Sequence, residues 1–128
     1  MGLNSRRLGY NGFTVQLALK ADAAQDDWTA PSLLNSWVNY GGEYDVAGYL
    51  KDTMGFVHIK GLIKSGTGDA GTTVFVLPAG CRPAATVIIP TIGADAAEIM
   101  SVDTDGNVKL FTASGNSYYV LCGMFKAV

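Results

Sequence analysis

From Trp28 onward, the chain alternates short apolar runs with clusters of turn-forming residues, and this alternation limits the fold more than any other feature. The turn clusters include Gly41-Gly42 and Asp105-Gly106. An Asp-Gly pair between alternating runs is a strong signal for a β-hairpin. The runs predict about eight short strands, at 33–40, 46–51, 56–65, 72–77, 84–92, 96–103, 107–112 and 118–126. We therefore predict an all-β fold, an antiparallel β-sandwich or jelly-roll-like domain.

The first 27 residues differ from the rest of the chain. A turn-rich start is followed by a segment at 13–25 that begins with alternating residues and ends rich in alanine. A terminus without fixed structure is one interpretation, but the segment is too apolar for a simple linker. Its apolar residues include Leu3, Leu8, Tyr10, Phe13, Val15 and Leu17. We predict that residues 1–27 form an extended or partly helical arm for docking or interface contacts, and that residues 28–128 form the β-sandwich domain.

The periodicity of the strands predicts a subunit interface. In the run 56–65, apolar residues occupy the odd positions while His58, Lys60 and Lys64 occupy even ones, which is typical of a strand with one wet face. The runs 74–77, 87–89 and 118–125 are instead apolar on both faces. Charged residues make up only 16% of the chain, where about 25% is usual. Because a small sandwich needs one apolar face per strand, we expect the second face to be buried in a homo-oligomer.

Residues of catalytic type do not form a pattern typical of an active site. His58 is the only histidine, and the chain has no Gly-x-Ser-x-Gly nucleophile motif. The acidic residues fall mostly in predicted turns, and their spacing selects no pair suited to glycoside hydrolysis. We therefore expect no enzymatic activity.

The sequence does not indicate a metal or cofactor site either. A single histidine with Cys81 and Cys122 falls short of the usual ligand set for zinc. The segment Asp103–Asn107 matches the first half of a calcium loop, but the position that needs a late glutamate holds Ser114. We predict a hairpin turn there, with no metal and no cofactor. The net charge of −2 argues against nucleic acid as a partner, and no apolar run approaches the roughly 20 residues that span a bilayer.

Aromatic residues are concentrated between positions 28 and 49, and they predict a ligand site. Aromatic rings stack on the apolar faces of sugars, while nearby polar groups bind the hydroxyls. Tyr40 and Tyr44 flank Gly41-Gly42 in a predicted loop, which favours contact with a ligand. Trp37 lies within an apolar run and fits a core or interface position as well. The candidate glycan-contact residues are Tyr40, Tyr44, Trp37, His58 and Asp52.

Several short motifs appear in a specific order. They are Trp37-Val38-Asn39-Tyr40-Gly41-Gly42, then Lys51-Asp52, then Gly61-Leu62-Ile63-Lys64-Ser65-Gly66, and finally Leu77-Pro78-Ala79-Gly80-Cys81-Arg82-Pro83. This series resembles the C-terminal head module of bacteriophage tail fibre and receptor-binding proteins. The resemblance covers about three quarters of the chain, and it departs from the family at Cys81, where an aromatic residue is usual.

The resemblance implies a homotrimer on the surface of a phage virion, made in the cytoplasm of the host bacterium. It further implies recognition of host cell-surface carbohydrate without catalysis. Tail heads of this kind usually follow a long shaft, whereas only about 27 residues precede the domain in this sequence. The alternative expectation is therefore a capsid head-fibre or decoration protein, or a baseplate adaptor, docked on other virion proteins through residues 1–27.

Overall fold

Residues 27–128 fold as an all-β domain in which every strand pairing is antiparallel. The computed structural model describes residues 27–128, so the predicted arm residues, from Leu3 to Leu17, lie outside the described part. Within residues 27–128 there are nine strands and no helix that could cross a membrane. The strands are β1 (Val38–Asn39), β2 (Gly48–Lys51), β3 (Phe56–Lys64), β4 (Thr73–Val76), β5 (Val87–Gly93), β6 (Ala96–Val102), β7 (Asn107–Leu110), β8 (Tyr119–Leu121) and β9 (Met124–Lys126). The predicted all-β antiparallel class is confirmed.

The long strand β3 joins the two halves of the sheet. Its first half pairs with β2 on one side and with β9 on the other. Its second half pairs with β1 and β8, and the sheet continues from β8 through β5, β6 and β7 to β4. Because one strand runs unbroken through both halves, the result is a curled sheet around one core. It differs in this respect from the expected sandwich, in which two separate sheets close on each other.

Two glycines mark the place where the sheet curls. Gly61, within β3, has a φ of 130°, and Gly123, between β8 and β9, has a φ of 113°. A Cβ at Gly61 would lie 2.5 Å from the Cα of Ala47, so the backbone approaches too closely for any side chain. At Gly123 the chain bends, and the run predicted as one strand at 118–126 is divided into β8 and β9.

The first predicted strand, at 33–40, shrinks to the two residues of β1. Asn35 and Ser36 have positive φ values of 55° and 67°, which is the left-handed region that a strand cannot contain. This turn is held by the Asn35 side-chain amide, which donates to the Thr73 carbonyl at 2.7 Å. The segment before β1 therefore packs beside β4, where the Leu34 N–H donates to the Val74 carbonyl.

The inner face of the curled sheet forms the core, and the predicted faces of the strands are confirmed. In β3 the odd-numbered Val57, Ile59 and Ile63 are buried, while the even-numbered residues are partly exposed. The runs that are apolar on both faces place Ile88 and Met124 outward, leaving large apolar side chains exposed. The largest fully buried side chains are Trp37, Tyr119, Phe75, Ile63, Leu77, Met100, Leu110 and Leu121.

The bend at Gly61 generates a stability prediction with an internal control. Gly71→Ala places a methyl group at a φ of 87° with no atom within 4 Å of it. Backbone strain alone should therefore lower the free energy of unfolding, by about 1–3 kcal/mol. Gly61→Ala should lower the free energy of unfolding by about 1–3 kcal/mol more than Gly71→Ala does, because its Cβ also meets the Ala47 backbone. Urea unfolding of both variants measures the difference; equal losses would contradict the close approach at Gly61.

Candidate functional site

An aromatic groove lies on the outer face of the sheet, where β1, β3 and β8 meet. It has a volume of about 250 Å³ and is lined by Tyr40, Tyr44, Leu62 and Tyr118. The backbone N–H of Tyr40 donates to the Leu62 carbonyl at 2.9 Å, which fixes Tyr40 beside β3. Leu62 points outward because it occupies an even position of β3, and it forms the apolar floor of the groove.

The turn after β1 brings Tyr40 and Tyr44 together. Both residues lie beside Gly41-Gly42, in the loop that the sequence predicts. Gly41 and Gly42 have φ values of 88° and 63°, and the Tyr44 N–H donates to the Gly41 carbonyl at 3.3 Å. The two rings meet edge to face, with centroids 5.1 Å apart and planes at 80°. Tyr40 remains 36% exposed and Tyr44 52% exposed, so both rings offer surface to a ligand.

Tyr118 forms the opposite wall of the groove. Its hydroxyl donates to the Asp95 carboxylate at 2.8 Å and accepts from the Asp95 backbone N–H at 3.1 Å. The bond to the carboxylate raises the pKa of the Tyr118 phenol, because the phenol loses a favourable partner when it ionises. The sequence did not single out Tyr118 or Leu62. Each sits in an apolar run, Leu62 within β3 and Tyr118 just before β8, and only the register of β3 with β8 places them beside the Tyr40 turn.

The loop that carries Tyr118 is anchored by a buried carboxylate. Glu98 on β6 is only 6% exposed. It accepts a hydrogen bond from the Thr112 hydroxyl at 2.6 Å and a short one from the Ser114 hydroxyl. The pKa of Glu98 lies below its usual range, mainly because of the hydrogen bond from the Ser114 hydroxyl and next because of that from Thr112. Burial opposes this lowering. Glu98 therefore fixes the loop between β7 and β8 from below.

Two lysines flank the floor of the groove on the outer face of β3. Lys60 pairs with the Asp45 carboxylate at 2.9 Å and lies 4.7 Å from the centroid of the Trp28 ring. Lys64 lies 4.9 Å from the centroid of the Tyr40 ring. Each ammonium group is thus held over an aromatic face, an arrangement worth about 0.5–1 kcal/mol at exposed sites.

His58 and Asp52, two of the predicted contact residues, lie outside the groove. The Nε2 atom of His58 is 2.8 Å from Oδ2 of Asp52, while Oδ1 of Asp52 accepts from the N–H groups of Met54 and Phe56 at 2.9 Å. The pKa of Asp52 lies below its usual range. The largest cause is the hydrogen bond from His58, and the second is the hydrogen bond from the Phe56 N–H. The pair caps the turn between β2 and β3. His58 is separated from Leu62 by about 13 Å of strand, so it does not join the groove.

Trp37, the remaining predicted contact residue, is a core residue and must be removed from the candidate set. It is 2% exposed and packs edge to face on Tyr119 with centroids 6.3 Å apart. Its indole N–H donates to the Thr67 carbonyl at 3.2 Å, and Gly66 leaves the space that its ring fills. A ring enclosed in this way has no face free for a sugar.

The lining of the groove is aromatic and apolar. Residues 27–128 contain no cluster of three His, Cys, Asp or Glu side chains that could hold a metal ion. In the same part of the chain, His58 hydrogen-bonds to Asp52 and to no serine, threonine or cysteine side chain. The groove offers three aromatic rings and an apolar floor, and the Lys64 ammonium group lies over the Tyr40 ring.

Comparisons of the chain with protein-family models, with curated proteins and with solved structures find no match. The likeness to phage head modules therefore rests on the sequence motifs, and the functional interpretation rests on the geometry of the groove.

The Asp52–His58 pair generates a pH prediction. Because folding lowers the pKa of Asp52, its contribution to stability is present above the unfolded value of about 3.9 and is lost as the pH falls through the folded value. Asp52→Asn should therefore have a lower melting temperature than the wild type at pH 7, and the difference in melting temperature should vanish towards pH 2. Thermal unfolding across this range measures it, with Asp69→Asn as the control in an exposed loop. A difference for Asp52→Asn that stays constant to pH 2 would contradict the role of the carboxylate.

Proposed function

We propose that this protein is a non-enzymatic surface component of a bacteriophage virion that binds host cell-surface carbohydrate as a homotrimer. The observation that carries the proposal is the groove formed by Tyr40, Tyr44 and Tyr118 over Leu62. The motif series from Trp37 onward supports the virion setting.

The walls of the groove match the two kinds of surface that a sugar presents. The exposed parts of the Tyr40 and Tyr44 rings can pack against the C–H face of a pyranose, which buries apolar area on both partners. The Tyr118 hydroxyl, held by Asp95, is fixed in position for a sugar hydroxyl. Because Asp95 and Glu98 fix this wall before any ligand arrives, little conformational entropy is lost on binding.

An apolar stripe beside the groove supports the oligomer. On β5, Ile88 and Ile92 are 51% and 52% exposed, with Pro90 between them on the same face. Val120 and Cys122 extend this surface across a shallow groove of about 340 Å³ that is almost wholly apolar. Contiguous exposed apolar surface of this kind marks interaction sites in soluble proteins. The stripe supports the expectation that the strands apolar on both faces bury their second face in an oligomer.

A second function, that of a capsid decoration or baseplate adaptor protein docked through residues 1–27, is favoured by one observation. The apolar stripe continues through Val120 to Leu62, so it joins the groove on one outer face. A surface that is apolar over this extent also suits permanent contact with another virion protein. In that case Tyr40 and Tyr44 would be interface residues. Intact oligomers that join particles but bind no host glycan would favour this function.

Substitutions in the groove test carbohydrate binding. Against a glycan array and purified bacterial cell-wall polysaccharides, the wild-type protein should show saturable binding. Tyr40→Ala, Tyr44→Ala and Tyr118→Ala should each weaken binding about tenfold or more, which corresponds to about 1.4 kcal/mol. Phe111→Ala is the matched control, because Phe111 is an exposed aromatic residue that lines a different cavity. Equal binding by all four variants would exclude this groove as the glycan site.

Charge placed in the apolar stripe tests the oligomer. Light scattering of the wild-type protein should give three times the 13.4 kDa mass of the chain at micromolar concentration. Ile92→Glu should reduce the mass to that of one chain, because it buries an unpaired carboxylate in the interface. Met54→Glu, at an exposed residue in the turn between β2 and β3, should leave the trimer intact. An unchanged circular dichroism spectrum shows that each variant is folded. A wild-type protein that is a monomer would contradict the proposal.

A further inference from the structure

We propose that the groove selects anionic saccharides, and that the Lys64 ammonium group is the residue that recognises the negative charge. This inference rests on the proposed carbohydrate function and specifies its ligand class. It arises from an asymmetry between the two lysines that flank Leu62 on the outer face of β3, since within residues 27–128 only Lys60 has a carboxylate partner.

Lys60 is already neutralised by the protein. Its ammonium group lies 2.9 Å from the Asp45 carboxylate, and the Asp45 carbonyl also accepts from the Leu62 N–H at 3.1 Å. Asp45 is therefore fixed beside Lys60 by its backbone as well as by its side chain. An anionic ligand approaching Lys60 would compete with a carboxylate that is already in place.

Lys64 has no such partner among residues 27–128, where no carboxylate lies within 4 Å of its ammonium group. It pairs across β1 with Val38, an apolar residue. Extending the register of β3 with β8 by one residue places Tyr118 on its other side. Lys64 is thus a cation beside the groove, because its ammonium group lies over the ring of Tyr40, which lines the groove.

The contact with Tyr40 positions the ammonium group without using its hydrogen-bond donors. A cation over an aromatic face is attracted to the ring itself, so the three N–H groups of the Lys64 ammonium remain available to an acceptor. Hydrogen bonds between charged groups are shorter and about twice as strong as those between neutral groups. A sugar that stacks on the tyrosines therefore gains affinity if it carries an anionic oxygen at the Lys64 end.

The acidic side chains around the groove do not cancel this preference. Asp45 is paired with Lys60, and Asp95 is occupied by the hydroxyl and backbone contacts of Tyr118. Glu43 lies in the exposed turn between Tyr40 and Tyr44, where solvent screens its charge. The ligand chemistry that fits Lys64 is an anionic oxygen beside a pyranose ring. A uronic acid supplies it as a carboxylate, and a phosphorylated glycan supplies it as a phosphate.

The test uses the full chain and two matched ligand pairs. One pair is a hexuronate oligosaccharide and its carboxyl-reduced form, and the other is a phosphate-bearing glycan polymer and its dephosphorylated form. Isothermal titration should show about tenfold tighter binding of the anionic member of at least one pair, and the pair that responds identifies carboxylate or phosphate as the natural group. The advantage should shrink as salt rises from 50 mM to 500 mM.

Three variants assign the preference to one side chain. Lys64→Gln keeps a polar side chain but removes its charge, so it should reduce the anionic-to-neutral affinity ratio to about one. Lys64→Arg should retain the ratio. Lys60→Gln is the matched control on the same strand and should also retain it, because Lys60 is already paired with Asp45.

Each remaining outcome overturns the inference in a distinguishable way. Equal binding of anionic and neutral members overturns the charge preference and leaves the carbohydrate function standing. A preference that survives in Lys64→Gln overturns the role of Lys64. If the protein binds none of the four saccharides, both the preference for anionic saccharides and the proposed carbohydrate function are overturned.

Discussion

The close approach of the β3 backbone to Ala47 is the constraint on which the rest of the structure depends. At Gly61 a Cβ would lie 2.5 Å from the Ala47 Cα, so the strand can turn there only because the residue has no side chain. The turn lets the first half of β3 pair with β2 and β9 while the second half pairs with β1 and β8. Without this bend the two halves of the sheet would diverge, and one core could not serve both.

The same strand serves both the core and the groove because its side chains alternate. Val57, Ile59 and Ile63 face inward and are buried, whereas Leu62 and Lys64 face outward. A shift of one residue in the register of β3 would exchange these faces. It would place a lysine in the core and remove the floor of the groove. The stability of the core therefore also fixes the position of the candidate site.

The sequence was sufficient to predict local structure and insufficient to predict which residues meet. Alternation located β3 and its wet face, because that signal is carried by neighbouring residues. It failed at Asn35 and Gly123, where a backbone dihedral, rather than hydropathy, ends the strand. Trp37 and Tyr40 are three positions apart in one aromatic cluster, yet one is enclosed in the core and the other borders the groove. Burial of that kind depends on which strand packs over each residue.

Tyr118 shows most clearly what pattern analysis cannot supply. It reaches the groove through the pairing of β8 with β3 across more than fifty residues of chain, and it is fixed by Asp95 on the turn between β5 and β6. No spacing rule joins these residues. Their meeting also places the groove beside the apolar stripe, since Tyr118, just before β8, lines the groove and Val120, within β8, lines the stripe. If copies of the chain associate through the stripe, the groove lies at the edge of the interface. Assembly and ligand binding would then act on neighbouring residues of the chain, and substitutions at 118–120 would couple the two.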